Sequence, residues 1–405
     1  IISMLRFARG LRDDLRLALL ARRLRRFPED LRLRAAAAAL HCRRAERSAE
    51  RSESEELQQA AQQHLEEVLR KSEDPQYLHH VLTSAVGPKL FYRLPLLSSR
   101  FMRKIALHQE CMDEFGSRSE FEERATAYHF ANALAILKAC GEQEAAQEMF
   151  QEAIALQWRG QRAITWHCLE QTPAVHIDGL EHRVFWDEPP ELAKVLEENY
   201  EDVRTDLLEM QSSWGSQVPA YPNLVETSQG VWDMLQLYSS RRWNPDACDL
   251  MPRTTQLLQK YLPTADVPYI HYNTEEVVLF LLTPGSKVRL HNGGSNAPIN
   301  LSLGLTGSTG AFLEVAGKVR PFRDGTVVAF DDGSDHRVWH DGAEDRWVLV
   351  VRVMHPSLAH EPWKFFNRAW TRRSCFEAWD EGRQEQLTLR KDHNATRSSE
   401  KDEKN

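Results

Sequence analysis

The sequence has 405 residues, of which 42% are hydrophobic and 27% are charged, and its formal net charge at pH 7 is −8. This length allows two ordinary domains, each with its own core, and the mild acidity gives no indication of wholesale nucleic-acid binding. Six widely spaced cysteines without a CxxC pair argue against a disulfide scaffold and against a zinc site. No run of about 18 apolar residues occurs in the sequence given, so no transmembrane span is predicted within it.

The sequence leaves the cellular compartment open. Its cysteine pattern does not distinguish a reducing compartment from an oxidising one. The first residue is Ile1 rather than methionine, so the sequence is compatible with a signal peptide or an anchor upstream.

Residues 1–52 are predicted to form a basic arm or linker. They contain 14 arginines and no lysine, and four leucines lie between the arginine clusters at roughly helical spacing, which is typical of a transit peptide or a membrane-surface helix. The acidic pairs Asp13–Asp14 and Glu29–Asp30 favour a solvated helix or a disordered arm, because targeting peptides avoid acids. Residues 47–56 carry no apolar side chain beyond one alanine and are predicted to be a linker.

Residues 53–180 are predicted to form an α-helical hairpin domain, because their apolar residues recur at helical spacing. The pattern Ala146-x3-Phe150 followed by Ala153 resembles the second helix of a tetratricopeptide repeat. Three clean copies at a period of about 34 residues are not found. Tetratricopeptide-like repeats are therefore one interpretation of this domain, and helical hairpins without repeats are the other.

The pattern changes from about residue 184 onward. A helix is predicted directly after Pro189–Pro190, since proline is tolerated at a helix start. Short apolar runs separated by Gly, Pro and Asn follow, and this spacing predicts an all-β sandwich or barrel. The predicted strands are Glu276–Leu282, Pro298–Leu305, Ala311–Val315, Thr326–Phe330, Arg337–His340 and Arg346–Met354. The polar residues 386–405 are predicted to be a disordered tail.

Two histidines, His291 and His336, stand at the edges of predicted strands. Non-heme iron oxygenases use two neutral imidazoles on one side of the metal and keep other positions open for a 2-oxo acid and oxygen. The carboxylate that usually completes such a site comes two residues after the first histidine, where this chain has Gly293. On spacing alone, structural histidines are the simpler interpretation.

The segment from residue 291 to residue 356 resembles the catalytic core of the aspartyl/asparaginyl β-hydroxylase family, with similarity extending over residues 184–360. The most specific matches are His291-x-Gly-x-x-Asn296 and Phe330-Asp-Asp-x-x-x-His336-x-Val-Trp. The resemblance implies an α+β protein in which the helical domain precedes a double-stranded β-helix (jelly-roll, cupin-like) domain at residues 184–385. It also implies an Fe(II)- and 2-oxoglutarate-dependent dioxygenase that uses O2 to hydroxylate aspartyl, asparaginyl or similar side chains of a protein or peptide.

The resemblance also implies roles for particular residues. His291 and His336 would bind the iron, with water at the third ligand's place, so that a glycine at residue 293 is expected. Arg346 would bind the distal carboxylate of 2-oxoglutarate through its planar fork of donors; a surface charge is the alternative. Asp331 and Asp332 would orient His336 by accepting hydrogen bonds, or they would cap the turn.

The chain departs from the family pattern where the family holds the proximal carboxylate of 2-oxoglutarate. The family's arginine and histidine are replaced here by the neutral Asn300 and Ser302, and a serine on the preceding strand is replaced by Phe280. Arg352 lies six residues after Arg346, so both share one sheet face and Arg352 could compensate for the lost charge. An outward-facing Arg352 is an equally good interpretation.

These departures leave three functional hypotheses. The first is the dioxygenase, with the helices helping to hold a peptide or partner. The second is a catalytically weak or inactive family member that acts as a peptide- or oxo-acid-binding module. The third is a scaffold in which the helical domain carries the function. Iron-dependent turnover of 2-oxoglutarate separates the first hypothesis from the other two.

Overall fold

The computed structural model describes residues 13–47, 51–86, 92–108, 125–158, 161–211, 231–239, 241–264 and 275–360. Contacts between Cα atoms divide the chain into two compact units, Ile1–Ala174 with Arg289–His291, and Val175–Val288 with Asn292–Asn405. The predicted tail at residues 386–405 lies outside the described residues. In the described part of the chain, no helix is long and apolar enough to cross a bilayer.

The described part of the first unit is almost entirely helical. Its helices are α1 (Asp13–Arg26), α2 (Leu31–Arg47), α3 (Arg51–Lys71), α4 (Pro75–His80), α5 (Pro95–Ala106), α6 (Ala125–Ala139) and α7 (Gln143–Ala155). A π-helical segment, Val81–Val86, follows α4, and the two-residue strands β1 (Gln157–Trp158) and β2 (Gln161–Arg162) pair antiparallel after α7.

The helices from α2 to α7 share one apolar core. Leu65 of α3, Phe130 and Leu134 of α6, and Phe150 of α7 belong to this core. Ala146 and Ala153 of α7 are completely buried, as expected for small residues where helices pack closely. The predicted helical domain is therefore present in the described residues, and its assignment to tetratricopeptide-like repeats stays a prediction.

Within the described residues 13–47, the helical alternative for the predicted basic arm is found, but these helices are not fully solvated. α1 and α2 are regular helices there, with Leu20, Leu33 and Leu40 buried in a small core of their own. The run of five alanines in α2 has high helix propensity and packs closely, and most of the arginines remain on the exposed side. The predicted linker likewise differs, because its residues from Arg51 onward form the polar first turns of α3.

The second unit contains short helices and antiparallel strands. Its helices are α8 (Glu191–Glu198), α9 (Tyr200–Gln211), α10 (Pro245–Leu250), α11 (Pro252–Leu258) and α12 (Pro356–His360). The strands of this part of the chain are β3 (Trp232–Ser239), β4 (Arg242–Trp243), β5 (Glu276–Leu282), β6 (Lys287–His291), β7 (Pro298–Thr306), β8 (Ala311–Val315), β9 (Lys318–Pro321), β10 (Val327–Asp331), β11 (His336–His340) and β12 (Arg346–Met354). The last three residues of β6 are the ones grouped with the first unit. As predicted, α8 begins directly after Pro190.

The strands form two sheets. The larger has the order β10-β7-β12-β5-β3-β4 and the smaller has the order β6-β11-β8-β9. From β5 to β12 the chain passes repeatedly between the sheets. The larger sheet takes β5, β7, β10 and β12, and the smaller sheet takes β6, β8, β9 and β11. This is the topology of a double-stranded β-helix, and the fold class inferred from the sequence is confirmed.

Leu349 tests the packing of the larger sheet. It lies in the middle of β12 with no exposed surface, whereas Val319 on β9 is 50% exposed. Leu349→Ala is expected to lower the free energy of unfolding of the second unit by about 2–5 kcal/mol, because it leaves a cavity in a packed core. Urea unfolding followed by tryptophan fluorescence measures this, and the control Val319→Ala should change stability by less than about 0.5 kcal/mol. Equal effects of the two substitutions would contradict the packing.

Candidate active site

Alternate residues of β12 face opposite sides of the larger sheet. Trp347, Leu349 and Val351 pack in one apolar core with residues of α8 and α9. Arg346 and Arg352 are even-numbered residues of β12, so their side chains lie on the opposite face of the sheet and face the smaller sheet. The sequence-based choice between an inward and an outward Arg352 is thus decided in favour of the inward one.

The neighbouring strand β7 places its polar residues on the same inner face. Asn300 and Ser302 stand opposite Phe330 and Val328 of β10 in the strand ladder. Those two apolar residues pack against Leu313 and its neighbours in the smaller sheet. Asn300 also stands directly opposite Arg352 across the β7–β12 pair. The four residues predicted to contact the co-substrate therefore face the space between the two sheets.

The two candidate metal ligands lie at strand ends that meet. β6 ends at His291 and β11 begins at His336, and the two strands are neighbours in the smaller sheet. They run antiparallel, and a backbone hydrogen bond from Gly293 N to Asp332 O closes the pair beyond this end. The two histidines thus share one end of the barrel, which we call the histidine end. Asn300 and Arg352 lie near it, at the start of β7 and the end of β12.

Both histidines make the same local hydrogen bond. The Nδ1 atom of His291 lies 2.7 Å from the carbonyl oxygen of Arg289, and the Nδ1 atom of His336 lies 2.8 Å from that of Ser334. A carbonyl oxygen only accepts, so each Nδ1 must carry the proton and donate it. In the neutral ring, the lone pair is then on Nε2, which is the tautomer of a histidine that binds metal through Nε2.

The electrostatic surroundings of His336 favour the neutral imidazole. Burial lowers the pKa of His336, and the negative charge of Asp332 opposes only part of this effect. The acceptor for its Nδ1 proton is the Ser334 carbonyl oxygen. Asp331 accepts a hydrogen bond from Gly333 N at 3.0 Å, which is the turn-capping alternative for this residue. Asp332 acts on His336 through its charge.

The carboxylate of Asp332 is fully buried and is held from two sides. Its Oδ1 accepts a hydrogen bond from Asn300 Nδ2 at 3.2 Å, and its Oδ2 lies 3.4 Å from Arg352 Nε. Ser302 extends this network by donating to Asn300 Oδ1 at 2.9 Å. A buried charge needs such partners to offset its lost hydration, so the neutral residues at 300 and 302 have a defined place in the site.

The space beside Gly293 is filled by the same carboxylate. A Cβ atom built at Gly293 would lie 2.1 Å from Asp332 Oδ2 and 2.9 Å from Asp332 O. Any side chain at residue 293 would therefore displace Asp332. The volume that a side chain at residue 293 would need is thus occupied by the carboxylate of Asp332, from the turn between β10 and β11.

Arg346 is buried with little compensation. Its side chain is 3% exposed, and its Nε atom has no hydrogen-bond partner within the described residues. Its Cζ atom lies 3.9 Å from the centre of the Phe322 ring. Burial lowers the pKa of Arg346 to about 9, although Asp324 nearby favours the charged form. The guanidinium remains charged at neutral pH, so the barrel interior contains a cation suited to an anion.

Sequence reasoning missed two residues near the histidine end. Glu276 on β5 stands opposite Arg352 and accepts from its Nη1 at 2.5 Å. His182 lies 2.8 Å, through Nε2, from the hydroxyl oxygen of Ser334. Only the strand register could have identified Glu276, and no sequence signal connects residue 182 with the turn before His336. Over the described ranges, no cluster of three or more His, Cys, Asp or Glu side chains could hold a metal ion.

The buried charge of Arg346 generates a stability prediction. Arg346→Met is expected to raise the melting temperature of the ligand-free chain, because an apolar side chain of similar length removes the cost of burying a charge. Differential scanning calorimetry measures the shift, with Arg337→Met at an exposed position of β11 as the control. A lower melting temperature for Arg346→Met would mean that the charge is fully compensated in the folded chain.

Part of this chain is similar in sequence to known proteins. A family profile described as aspartyl/asparaginyl beta-hydroxylase matches residues 197–356. The aspartyl/asparaginyl beta-hydroxylase of Mus musculus is 30% identical over 206 residues, which cover 49% of this chain and 26% of that protein. The aspartate beta-hydroxylase domain-containing protein 2 of Homo sapiens is 28% identical over 195 residues, which cover 47% of this chain and 49% of that protein.

These relatives and this chain share one domain. The match spans about a quarter to a half of the curated relatives named here. Among solved structures, a Pseudomonas putida prolyl-4-hydroxylase is 16% identical, with a TM-score of 0.26 over 38% of this chain and 85% of that chain. The assignment of the fold rests on the strand order, and that of the family rests on the sequence match. Residues 197–356 of this chain are therefore similar in sequence to the domain that the aspartyl/asparaginyl beta-hydroxylase profile describes.

Proposed function

We propose that this chain is an Fe(II)- and 2-oxoglutarate-dependent dioxygenase that hydroxylates aspartyl, asparaginyl or similar side chains of a protein or peptide. The observation that carries the proposal is the pair His291 and His336. Both lie at the histidine end, and both have Nδ1 hydrogen-bonded to a backbone carbonyl oxygen. Two neutral imidazoles with this tautomer fit the nitrogen ligands of a non-heme iron site.

The residues of the barrel interior also fit a dicarboxylate co-substrate. Arg346 is a buried cation whose Nε has no hydrogen-bond partner among the described residues, and a carboxylate would supply one. Six residues along β12 separate Arg346 from Arg352, which is about 20 Å between Cα atoms at the usual rise of a strand. Both side chains face the barrel interior, and a short dicarboxylic acid would bind between their cationic groups. We assign the distal carboxylate of 2-oxoglutarate to Arg346.

When bound, Fe(II) and 2-oxoglutarate supply the oxidising chemistry by which O2 hydroxylates a carbon atom. The residues of this chain would hold the metal and the co-substrate and orient them. Backbone carbonyl oxygens fix the ring orientation of both histidines, and the clamp of Asn300 and Arg352 holds Asp332 beside them. Apolar side chains such as Phe330 and Val328 line the same interior and keep water away from the reacting groups.

The substrate would reach the site at the histidine end. Glu276 and Arg352 are 14% and 19% exposed there, whereas Arg346 is buried deeper in the barrel. A protein side chain carried on a loop or an extended peptide suits an opening of this kind. The helices of the first unit would add a surface for a peptide or partner, since packed helices form such surfaces.

A second candidate function is a catalytically weak or inactive family member that binds peptides or oxo acids. It is favoured by Asn300 and Ser302, which carry no charge and bond to each other and to Asp332. Arg352, the cation nearest to them, is already engaged by Glu276 and Asp332. Iron-dependent formation of succinate from 2-oxoglutarate tests this alternative directly, because a binding module would form none.

His336→Ala tests the metal site. With only two protein ligands, the loss of one imidazole should weaken Fe(II) binding strongly and abolish coupled succinate formation. Some loss of melting temperature is expected, because His336 is buried against the ring of Phe330, so the control must remove a histidine that is equally buried. His340→Ala is the matched control, since it removes a buried histidine from the other end of the same strand, where Nε2 bonds to the Glu344 carbonyl oxygen.

The measurements are iron stoichiometry, succinate formation and thermal melting of both variants. His340→Ala should retain iron even if it is less stable. Normal iron binding by His336→Ala, or no iron binding by the unaltered chain, would contradict the proposed metal site.

Arg352→Ala tests whether this residue replaces the charge missing from β7. If Arg352 helps to hold the proximal carboxylate, its loss should raise the 2-oxoglutarate requirement by about tenfold or more, the scale of one charge-assisted hydrogen bond. Arg337→Ala, on the outer face of β11, is the control for a lost arginine. An unchanged requirement with a lower melting temperature would restrict Arg352 to the stabilisation of Asp332.

A further inference from the structure

An extended segment of the second unit crosses the histidine end of the barrel. Residues 175–186, which we call the strap, contain no helix and bond to the barrel at both of their ends. Val175 N donates to Gly294 O, and Trp186 N donates to Ala329 O, each at 2.9 Å. The strap is thereby attached to the turn after His291 and to β10, which leads into the turn before His336.

Asn296 joins the strap to the first of these turns. Its Oδ1 accepts from Ile177 N at 2.8 Å, and its Nδ2 donates to Ile177 O at 3.0 Å. Asn296 is 4% exposed and Ile177 is 6% exposed, so both backbone groups are satisfied out of water by a single side chain. Asn296 lies five residues after His291 and belongs to the motif that the sequence analysis singled out.

The turn of Asn296 also packs against the turn before His336. A Cβ atom built at Gly333 would lie 2.8 Å from the Cα atom of Asn296. The side chains of Asn292 and Asp335 join the same two turns by a hydrogen bond of 2.9 Å. A displacement of Asn296 therefore changes the space available to the turn that leads to His336.

The strap reaches the second turn directly as well. His182 Nε2 lies 2.8 Å from Ser334 Oγ, and the backbone oxygen of Ser334 accepts the proton of His336 Nδ1. A further attachment of the strap runs from His355 Nε2 to Glu181 O at 3.1 Å. Since His355 Nδ1 accepts from Ser357 N, its Nε2 carries the proton and donates.

We propose that the strap is a positioning device for the two histidines, with Asn296 and His182 as its positioning residues. The proposal rests on the metal site of the proposed function and adds what keeps its ligands in place. Ligands held in place before binding give a metal higher affinity than ligands that must be ordered by it. By linkage, a metal that binds the ordered arrangement more tightly must also stabilise the strap.

The test uses Co(II) as the probe and the full chain in four forms. These are the unaltered chain, Asn296→Ala, His182→Ala and the control Asn199→Ala, which removes an asparagine amide bonded to the Val195 carbonyl oxygen outside the histidine end. Co(II) affinity and the ligand-field spectrum are measured by titration. Hydrogen exchange of residues 175–186 is measured with and without Co(II), and thermal melting records the stability of each form.

Asn296→Ala is expected to bind Co(II) about tenfold more weakly, as substitutions of residues that orient metal ligands do. His182→Ala should show a smaller loss in the same direction. Co(II) should slow exchange of the strap in the unaltered chain and fail to do so in Asn296→Ala. Asn199→Ala should match the unaltered chain in affinity, spectrum and strap exchange.

Other outcomes separate the strap from the proposed function. Unaltered affinity in Asn296→Ala, with faster exchange of the strap, would overturn the positioning role and leave the metal site intact. No Co(II) binding by the unaltered chain would overturn the metal site and the strap's role together. If Asn296→Ala does not fold, the Co(II) affinity of His182→Ala tests the positioning role instead. The His182 side chain is 31% exposed, so its removal should disturb the fold less.

Discussion

The arrangement of the candidate site depends on the larger sheet being buried on both faces. β7 and β12 lie in its interior and expose almost no residue to solvent. One face carries leucines and valines against α8 and α9, and the other carries arginine, asparagine and serine toward the smaller sheet. A shift of one residue in the β7–β12 register would exchange the two faces. The large free-energy cost of burying arginine in the helix-facing core therefore fixes the positions of the polar groups.

The polar groups inside the barrel are stabilised unequally. Asp332, Arg352 and Glu276 alternate in charge along a row that runs from the β10–β11 turn across β12 to β5, so each buried or half-buried charge has an opposite neighbour. Within the described residues, Arg346 lies against the ring of Phe322 and interacts electrostatically with Asp324. Isolated buried charges lower stability, and they are concentrated where a protein binds an ion. We infer that the charges of Asp332, Arg352 and Glu276 stabilise one another near the histidines, whereas Arg346 is suited to bind an anion.

Sequence patterns predicted the strands closely because each strand is a short apolar run bounded by Gly, Pro, Asn or Asp. β5, β8 and β12 have the predicted bounds, β7 and β11 differ by one residue at one end, and β10 is shifted by one residue at both ends. The helices of residues 13–47 were harder to predict, because their arginine-rich surface resembles that of a solvated arm and the burial of their leucines depends on other helices. The strap was not predicted at all, since an extended segment without regular periodicity gives no signal of what it touches.

Cross-strand relations of the site lie beyond sequence patterns of this kind. Arg352 and Asn300 are 52 positions apart, and only the register shows that they stand opposite each other with Asp332 between their polar groups. The same holds for Gly293 and Asp332, which come from different turns and compete for one volume. A carboxylate at 293 and a carboxylate at 332 are therefore alternatives rather than additions. A chain that places its aspartate at 332, held by Asn300 and Arg352, requires glycine two residues after His291, so what looks like a missing ligand in the sequence is a steric consequence of the turn facing it.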